Sequence, residues 1–123
     1  MGSNLIGHLH PDFITTVEEV KSMLRTVWGT KNDLTFPISG TGSAGMETCV
    51  ANLVAEGDKV LVLTNGYFGV RFAEMCTRHG AVVTPVKIDW GLNFKAEHVK
   101  TQVEEHKPDI VFVVNAETST GVF

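Results

Sequence analysis

Three short polar stretches hold most of the residues that could bind or react. The first, Gly40-Thr41-Gly42-Ser43-Ala44-Gly45, fits the pattern G-x-G-x-x-G. Glycines let the backbone come close to an anion, and N–H groups at a helix start offer donors aligned with the helix dipole. The hydroxyls of Thr41 and Ser43 add further donors, a set that suits a phosphate. The same residues also fit a plain strand-to-helix turn with Ser43 as its N-cap. The second stretch, Asn65-Gly66-Tyr67-Phe68, brings two aromatic rings. One of them can lie over a flat ring, since aromatic faces stack at offset geometry; equally, it can staple a helix start to the core. The third, Asn115 to Thr120, crowds Glu117, Thr118, Ser119 and Thr120 together, as the edge of a polar site or as an ordinary capped turn.

Other chemistries find less support. A dinucleotide site pairs such a glycine loop with an Asp or Glu roughly 20 residues on, at the end of the next strand, to hold a ribose. Here that strand ends in Thr64-Asn65-Gly66, while Glu56 and Asp58 precede it. No lysine follows the loop, so it is not a P-loop. The histidines His8, His10, His79, His98 and His106 lack metal-ligand spacing, and no metal site is expected. Cys49 falls among the apolar residues of a helix and reads as core. A formal charge of −4 gives no footprint for nucleic acid. No apolar run reaches the roughly 18 to 20 residues that span a bilayer, so no membrane partner is expected. Cys49 and Cys76 fit neither CxxC spacing nor a disulfide framework, which makes a cytoplasmic or otherwise intracellular setting the expectation.

The three stretches need elements that bring them to one rim. At 43% hydrophobic and 20% charged over 123 residues, the chain can bury a single core. Phe13, Val17, Val20, Leu24 and Val27 fall on one helical face, predicting a helix over 12–28 with Asp12 as N-cap and Gly29 as stop. Residues 34–39 read as a strand, kept short, bulged or near an edge by Pro37. A helix follows with Met46, Cys49, Val50, Leu53 and Val54 on one face. The Val-Leu-Val-Leu run within 59–64 is typical of a strand covered on both sides. Next come a helix from about 69 to 79 with Gly80 in the C′ position, and a strand over 81–86. A helix over 95–105 with Ala96, Val99 and Val103 inward and a strand over 110–114 complete the pattern. This alternation implies an α/β fold with βαβ crossovers and a mainly parallel sheet. Such sheets bind ligands at the carboxyl ends of their strands, where the three polar stretches fall.

Taken together, these stretches resemble the class V pyridoxal-phosphate aminotransferases, and within them the alanine–glyoxylate and serine–pyruvate aminotransferase group. The resemblance rests on Ile6-Gly7-His8 followed by Pro11-Asp12-Phe13, on Ile38 to Glu47, on Asn65 to Arg71, and on Glu117 to Val122. It covers essentially the whole chain. It implies a three-layer α/β/α sandwich, namely the N-terminal part of the large domain of fold-type-I enzymes. Residues 1–30 would be its N-terminal segment and helix, and 31–123 its βαβ units. It implies pyridoxal 5′-phosphate as cofactor, with Thr41, Gly42 and Ser43 at the phosphate, Phe68 stacked on the pyridine ring and Thr118 near the phenolic oxygen. The implied reaction moves an amino group from alanine or serine to glyoxylate or pyruvate, with small amino acids and 2-oxo acids as substrates and a homodimer as the complete enzyme. The family's Schiff-base lysine and the acid that faces the pyridine nitrogen are expected after residue 123. Lys21, Lys31, Lys59, Lys87, Lys95, Lys100 and Lys107 all fall away from the rim, so the 123-residue chain alone is expected to be inactive. The other reading is a non-catalytic phosphate- or nucleotide-binding domain of Rossmann-like form.

Overall fold

A strand that alternates Val and Leu presents valines to one side of a sheet and leucines to the other, so it is stable only if both faces are covered. A computed structural model of the chain describes residues 5–123, so the first four residues of the expected N-terminal segment lie outside it. Its elements run α1 (Pro11–Trp28), α2 (Gly42–Leu53), β1 (Lys59–Thr64), α3 (Tyr67–Arg78), β2 (Val82–Lys87), α4 (Ala96–His106) and β3 (Ile110–Phe112). The chain divides into two compact units, the first ending at Ser39 and the second being Gly40–Phe123.

The second unit is built on β1, buried along its length after Lys59. It lies at the centre of a three-stranded parallel sheet of order β2-β1-β3. Val62 stands opposite Pro85 on one side and Phe112 on the other. Val60 and Val62 pack with Val50 of α2 and with Met75 and Cys76 of α3. Leu61 and Leu63 face the other way and meet Val99 and Val103 of α4, with Phe94 just before that helix. Two helices on one face and one on the other make the expected three layers. Each fully buried Val or Leu here stabilises the fold by roughly 1.5–3 kcal/mol.

Helix ends follow local chemistry. At the end of α3, Gly80 adopts a left-handed φ of 85°, and its N–H donates to Thr77 O while Ala81 N–H donates to Cys76 O. This is the doubly bonded stop that a glycine at C′ permits. In the first unit, the N-cap of α1 lies two residues earlier than the expected Asp12. His10 is the N-cap and its Nδ1 accepts the Asp12 N–H at 3.2 Å, because Pro11 fits the first helical position, where no N–H is needed. Gly29 ends the helix with φ 60°, as its position predicts.

Several expectations differ from the structure. Residues 34–39 form no strand: they have no ladder partner among the described residues, and Pro37 has no N–H to give one. β3 stops at Phe112, short of Val114. Cys49 is exposed, not core. The inner stripe of α2 runs Met46, Val50, Val54 at four-residue steps, which turns Cys49 and Leu53 about a quarter-turn outward. Ala96 is also exposed, since Val99 and Val103 alone meet the leucine face.

Gly69 lets α3 sit directly on the end of β1. A Cβ there would lie 2.8 Å from Leu63 O and 2.9 Å from Thr64 Cα, both backbone atoms. Alanine is the better helix former by about 1 kcal/mol, whereas forcing the helix off the strand costs about 1–3 kcal/mol. Gly69→Ala should therefore lower the unfolding free energy by up to about 2 kcal/mol in urea titrations; a raised midpoint would mean that α3 does not depend on this approach.

Candidate functional site

Two helix starts in the second unit treat their N–H groups in opposite ways. At the start of α2, Thr41 is the N-cap in extended conformation, and its side chain makes no capping bond. Its carbonyl accepts the Ala44 and Gly45 N–H groups at 2.9 and 3.2 Å. The N–H groups of Gly42 and Ser43, and the hydroxyls of Thr41 and Ser43, find no acceptor among the described residues. Ser43 lies inside the first turn and does not cap it. A Cβ built at Gly42 meets nothing within 4 Å, so the space before these donors is open. Unspent N–H groups at the positive end of a helix form an anion site.

At the start of α3 the donors are spent. Gly66 is the N-cap and has no side chain to offer. Glu117, fully buried although 50 residues downstream of the helix start, takes that role. Its Oε2 accepts the N–H groups of Phe68 at 3.0 Å and Gly69 at 3.2 Å. Its Oε1 accepts the Ser119 hydroxyl at 2.6 Å and the Ser119 N–H at 3.2 Å. Ser119 Oγ in turn accepts the Tyr67 N–H at 2.9 Å. Gly66 has no room for anything larger: a Cβ there would overlap the Glu117 side chain and lie 2.7 Å from Ser119 Oγ. Burial raises the Glu117 pKa, and the hydrogen bonds from Ser119, Gly69 and Phe68 lower it by more, so the net shift is downward. Burial pushes the Cys76 thiol up, in keeping with a packing role.

Between these two helix starts and the segment after β3 lies a cavity of about 320 Å³. Thr41, Gly42, Ser43, Phe68 and Thr118 all line it, so residues from each of the three polar stretches meet at one place, whereas Tyr67, Glu117, Ser119 and Thr120 do not line it. Met46, Phe72, Val114 and Ala116 complete the wall. One end is made of hydroxyls and free N–H groups, and the sides are apolar, as small-molecule sites of this size tend to be. Phe72 stacks on Phe112 with centroids 4.8 Å apart, which ties the cavity floor to the core. The Phe68 and Tyr67 rings stand edge to face, at 82° with centroids 5.4 Å apart. No charged side chain lines the cavity. A larger hollow of about 510 Å³ lies along α3 and β2, and none of the three polar loops reaches it.

The end of β1 carries no acid. Thr64 donates its hydroxyl to Val86 O and Asn65 donates to Leu92 O, so both side chains tie down the chain around them. A ribose would find no carboxylate there, which weighs against the nucleotide reading.

No protein-family model matches the chain. Nearly all of it is nevertheless similar to curated aminotransferases. It is 35% identical to an alanine–glyoxylate aminotransferase of Drosophila melanogaster over 122 residues, covering 99% of this chain and 31% of that protein. It is 36% identical to the (S)-ureidoglycine–glyoxylate transaminase of Bacillus subtilis (strain 168), covering 98% of this chain and 29% of the relative. Among solved structures, an alanine–glyoxylate aminotransferase from Nostoc sp. superposes with a TM-score of 0.93 at 46% identity, over 97% of this chain and 32% of that one. The chain thus spans about a third of the length of the relatives it matches. Its fold matches part of the large domain of fold-type-I aminotransferases. Within that class, its sequence is similar to part of the alanine–glyoxylate group, as the four quoted stretches imply.

The sequence reading placed Glu117 only within a polar cluster and missed its part in holding α3. A signal was present: a lone acid among hydroxyl residues, facing a helix start whose own cap is glycine. Met46, Phe72, Val114 and Ala116 were missed because apolar lining residues look like core residues in a sequence.

Because the folded pKa of Glu117 lies below that of an unfolded glutamate, about 4.3, its contribution to stability is complete above that value. It is lost as pH falls through the folded pKa. Glu117→Gln should cost about 1–3 kcal/mol near neutral pH. The difference from the parent chain in urea unfolding should stay flat from about pH 7 to 5 and shrink below. A difference that grew on acidification would mean that Glu117 is buried in its protonated form.

Proposed function

We propose that the chain is the N-terminal part of the cofactor-binding large domain of an aminotransferase, and that its cavity holds pyridoxal 5′-phosphate. One observation carries this reading: unspent donors at a helix start face an open space that is walled on its sides by Phe68 and other apolar groups. In this reading Gly42 and Ser43 donate backbone N–H groups to the phosphate, aided by the hydroxyls of Thr41 and Ser43. Phe68 covers one face of the pyridine ring, and Thr118 offers its hydroxyl to the phenolic oxygen. When bound, the cofactor supplies an electron sink for the amino-acid carbon. The residues of this chain bind and orient it and keep water from one ring face. The acceptor we favour is glyoxylate, because it is the substrate shared by the names of both curated relatives quoted above. Alanine or serine is the proposed donor, with pyruvate as the other 2-oxo acid. A homodimeric complete enzyme and an intracellular setting are carried over from the same resemblance.

Two measurements test this reading. Gly42→Val has room to fold, since nothing lies within 4 Å of its Cβ position. The new side chain would fill the space in front of the free N–H groups, so pyridoxal phosphate and inorganic phosphate binding should fall by at least about tenfold in calorimetry. Binding equal to that of the parent chain would make the loop a plain turn.

No lysine lines the cavity, and neither does any group suited to act as general base. Positioned proton transfer alone is worth roughly 10² to 10⁴-fold. The 123-residue chain with pyridoxal phosphate, alanine and glyoxylate should therefore form no pyruvate above background. Borohydride reduction at equimolar cofactor should label scattered surface lysines. One lysine labelled stoichiometrically, together with turnover, would show that a residue assigned to the surface reaches the cavity.

A further inference from the structure

We propose that Glu117 is a positioning residue for the ligand cavity, fixing the Phe68 wall and the Thr118 edge relative to each other through one carboxylate. The inference rests on the cofactor reading above and extends it to a residue that does not line the cavity.

Each oxygen of Glu117 holds one wall. Oε2 takes the backbone N–H groups of Phe68 and Gly69, and Oε1 takes the N–H and hydroxyl of Ser119, the neighbour of Thr118. Ser119 Oγ closes the ring of bonds by accepting the Tyr67 N–H. The Glu117 backbone locks the same loop from the other side. Its N–H donates to Val122 O at 2.9 Å, and its carbonyl accepts Thr120 and Gly121 N–H groups at 3.1 and 2.8 Å. Thr118 therefore sits between two residues that are both tied to the start of α3.

The residue type is informative. Among the described residues Glu117 is the one buried acidic or basic side chain, beside the neutral Thr64 and Asn65. No lysine or arginine pairs with it there. A serine or asparagine would cap α3 adequately. Only a carboxylate offers two acceptor oxygens with no donor of its own to place, so it can take four donors from two segments far apart in sequence. Charge-assisted bonds of this kind are short and directional, and a misplacement of about 1 Å at a site can cost on the order of 10²-fold in function. The lowered pKa agrees with a carboxylate that stays ionised in this role.

The test uses the full 123-residue chain with pyridoxamine 5′-phosphate as probe, because its amine cannot condense with surface lysines. Glu117→Gln keeps the shape but sets an NH₂ donor against one pair of donors. Three quantities are read in folded protein: Kd, circular dichroism induced in the probe per bound molecule at saturation, and amide proton shifts of Phe68, Gly69 and Ser119 without ligand. We expect Kd to rise about tenfold, the effect of one misplaced hydrogen bond. The induced signal per bound molecule should fall by about half or more, and the three amide protons should move upfield. If Glu117→Gln does not fold, Ser119→Ala removes the two hydroxyl links, to Glu117 Oε1 and from the Tyr67 N–H, while leaving the carboxylate on Phe68 and Gly69, and should give smaller losses of the same sign. A variant with the parent's Kd and full induced signal overturns the proposal. Weaker binding with an unchanged signal per bound molecule also overturns it, since Glu117 would then be merely structural. A parent chain that neither binds the probe nor induces a signal overturns the cofactor reading itself, and this inference with it.

Discussion

Coverage of β1 on both faces is the constraint from which the rest of the second unit follows. Its valines need α2 and α3 on one side, and its leucines need α4 on the other. The start of α3 and the segment after β3 leave the carboxyl ends of β1 and β3, and α2, packed on the valine face ahead of β1, brings its own start to the same rim. The loop before α2, the start of α3 and the segment after β3 are brought together by this packing, not by any affinity for one another. The cavity is a by-product of a central strand that has no exposed face. Phe72 joins the two levels, since the ring that floors the cavity is stacked on Phe112 of β3.

Within that rim, two glycine-led helix starts have opposite fates. α2 keeps its first donors free, and α3 has its donors satisfied by Glu117 and Ser119. The difference divides labour. A helix whose own chain has already supplied an anion is neutralised and rigid, and can serve as a wall. A helix left uncapped by its Thr41 side chain retains a demand for negative charge that a ligand can meet. The same backbone physics thus gives a scaffold in one place and a binding end in the other. The glycines serve both: Gly66 yields space to Glu117, Gly69 yields space to β1, and Gly42 leaves space for a guest.

Much of this was legible from residue patterns because the deciding forces were local. The Val-Leu alternation of 59–64, Gly80 after α3 and Gly29 after α1 each announce a structure that needs only nearby atoms. The polar stretches could be placed on one rim because parallel topology admits few alternatives. Features set by distant partners were not legible. Whether residues 34–39 become a strand depends on a neighbour, and none is present among the described residues. The facing of Cys49 depended on which of two overlapping apolar stripes the sheet would choose, and Met46, Val50 and Val54 won. Glu117 looked like one polar residue among four because the helix it serves lies about 50 residues away.

The absence of charged side chains from the cavity wall has a kinetic side. An acidic chain of formal charge −4 presents a phosphate ester with a repulsive long-range field, while the attraction of a helix terminus is felt only within a turn or so. Approach and capture are then governed by opposing electrostatics at different ranges. Dissolved salt screens the first far more than the second, because the Debye length is about 10 Å at 0.1 M. For most anion sites, lined by lysine or arginine, added salt slows association. Under the proposed cofactor reading, salt here lowers a barrier while leaving the short-range hold largely intact, so entry of the anion should quicken as ionic strength rises.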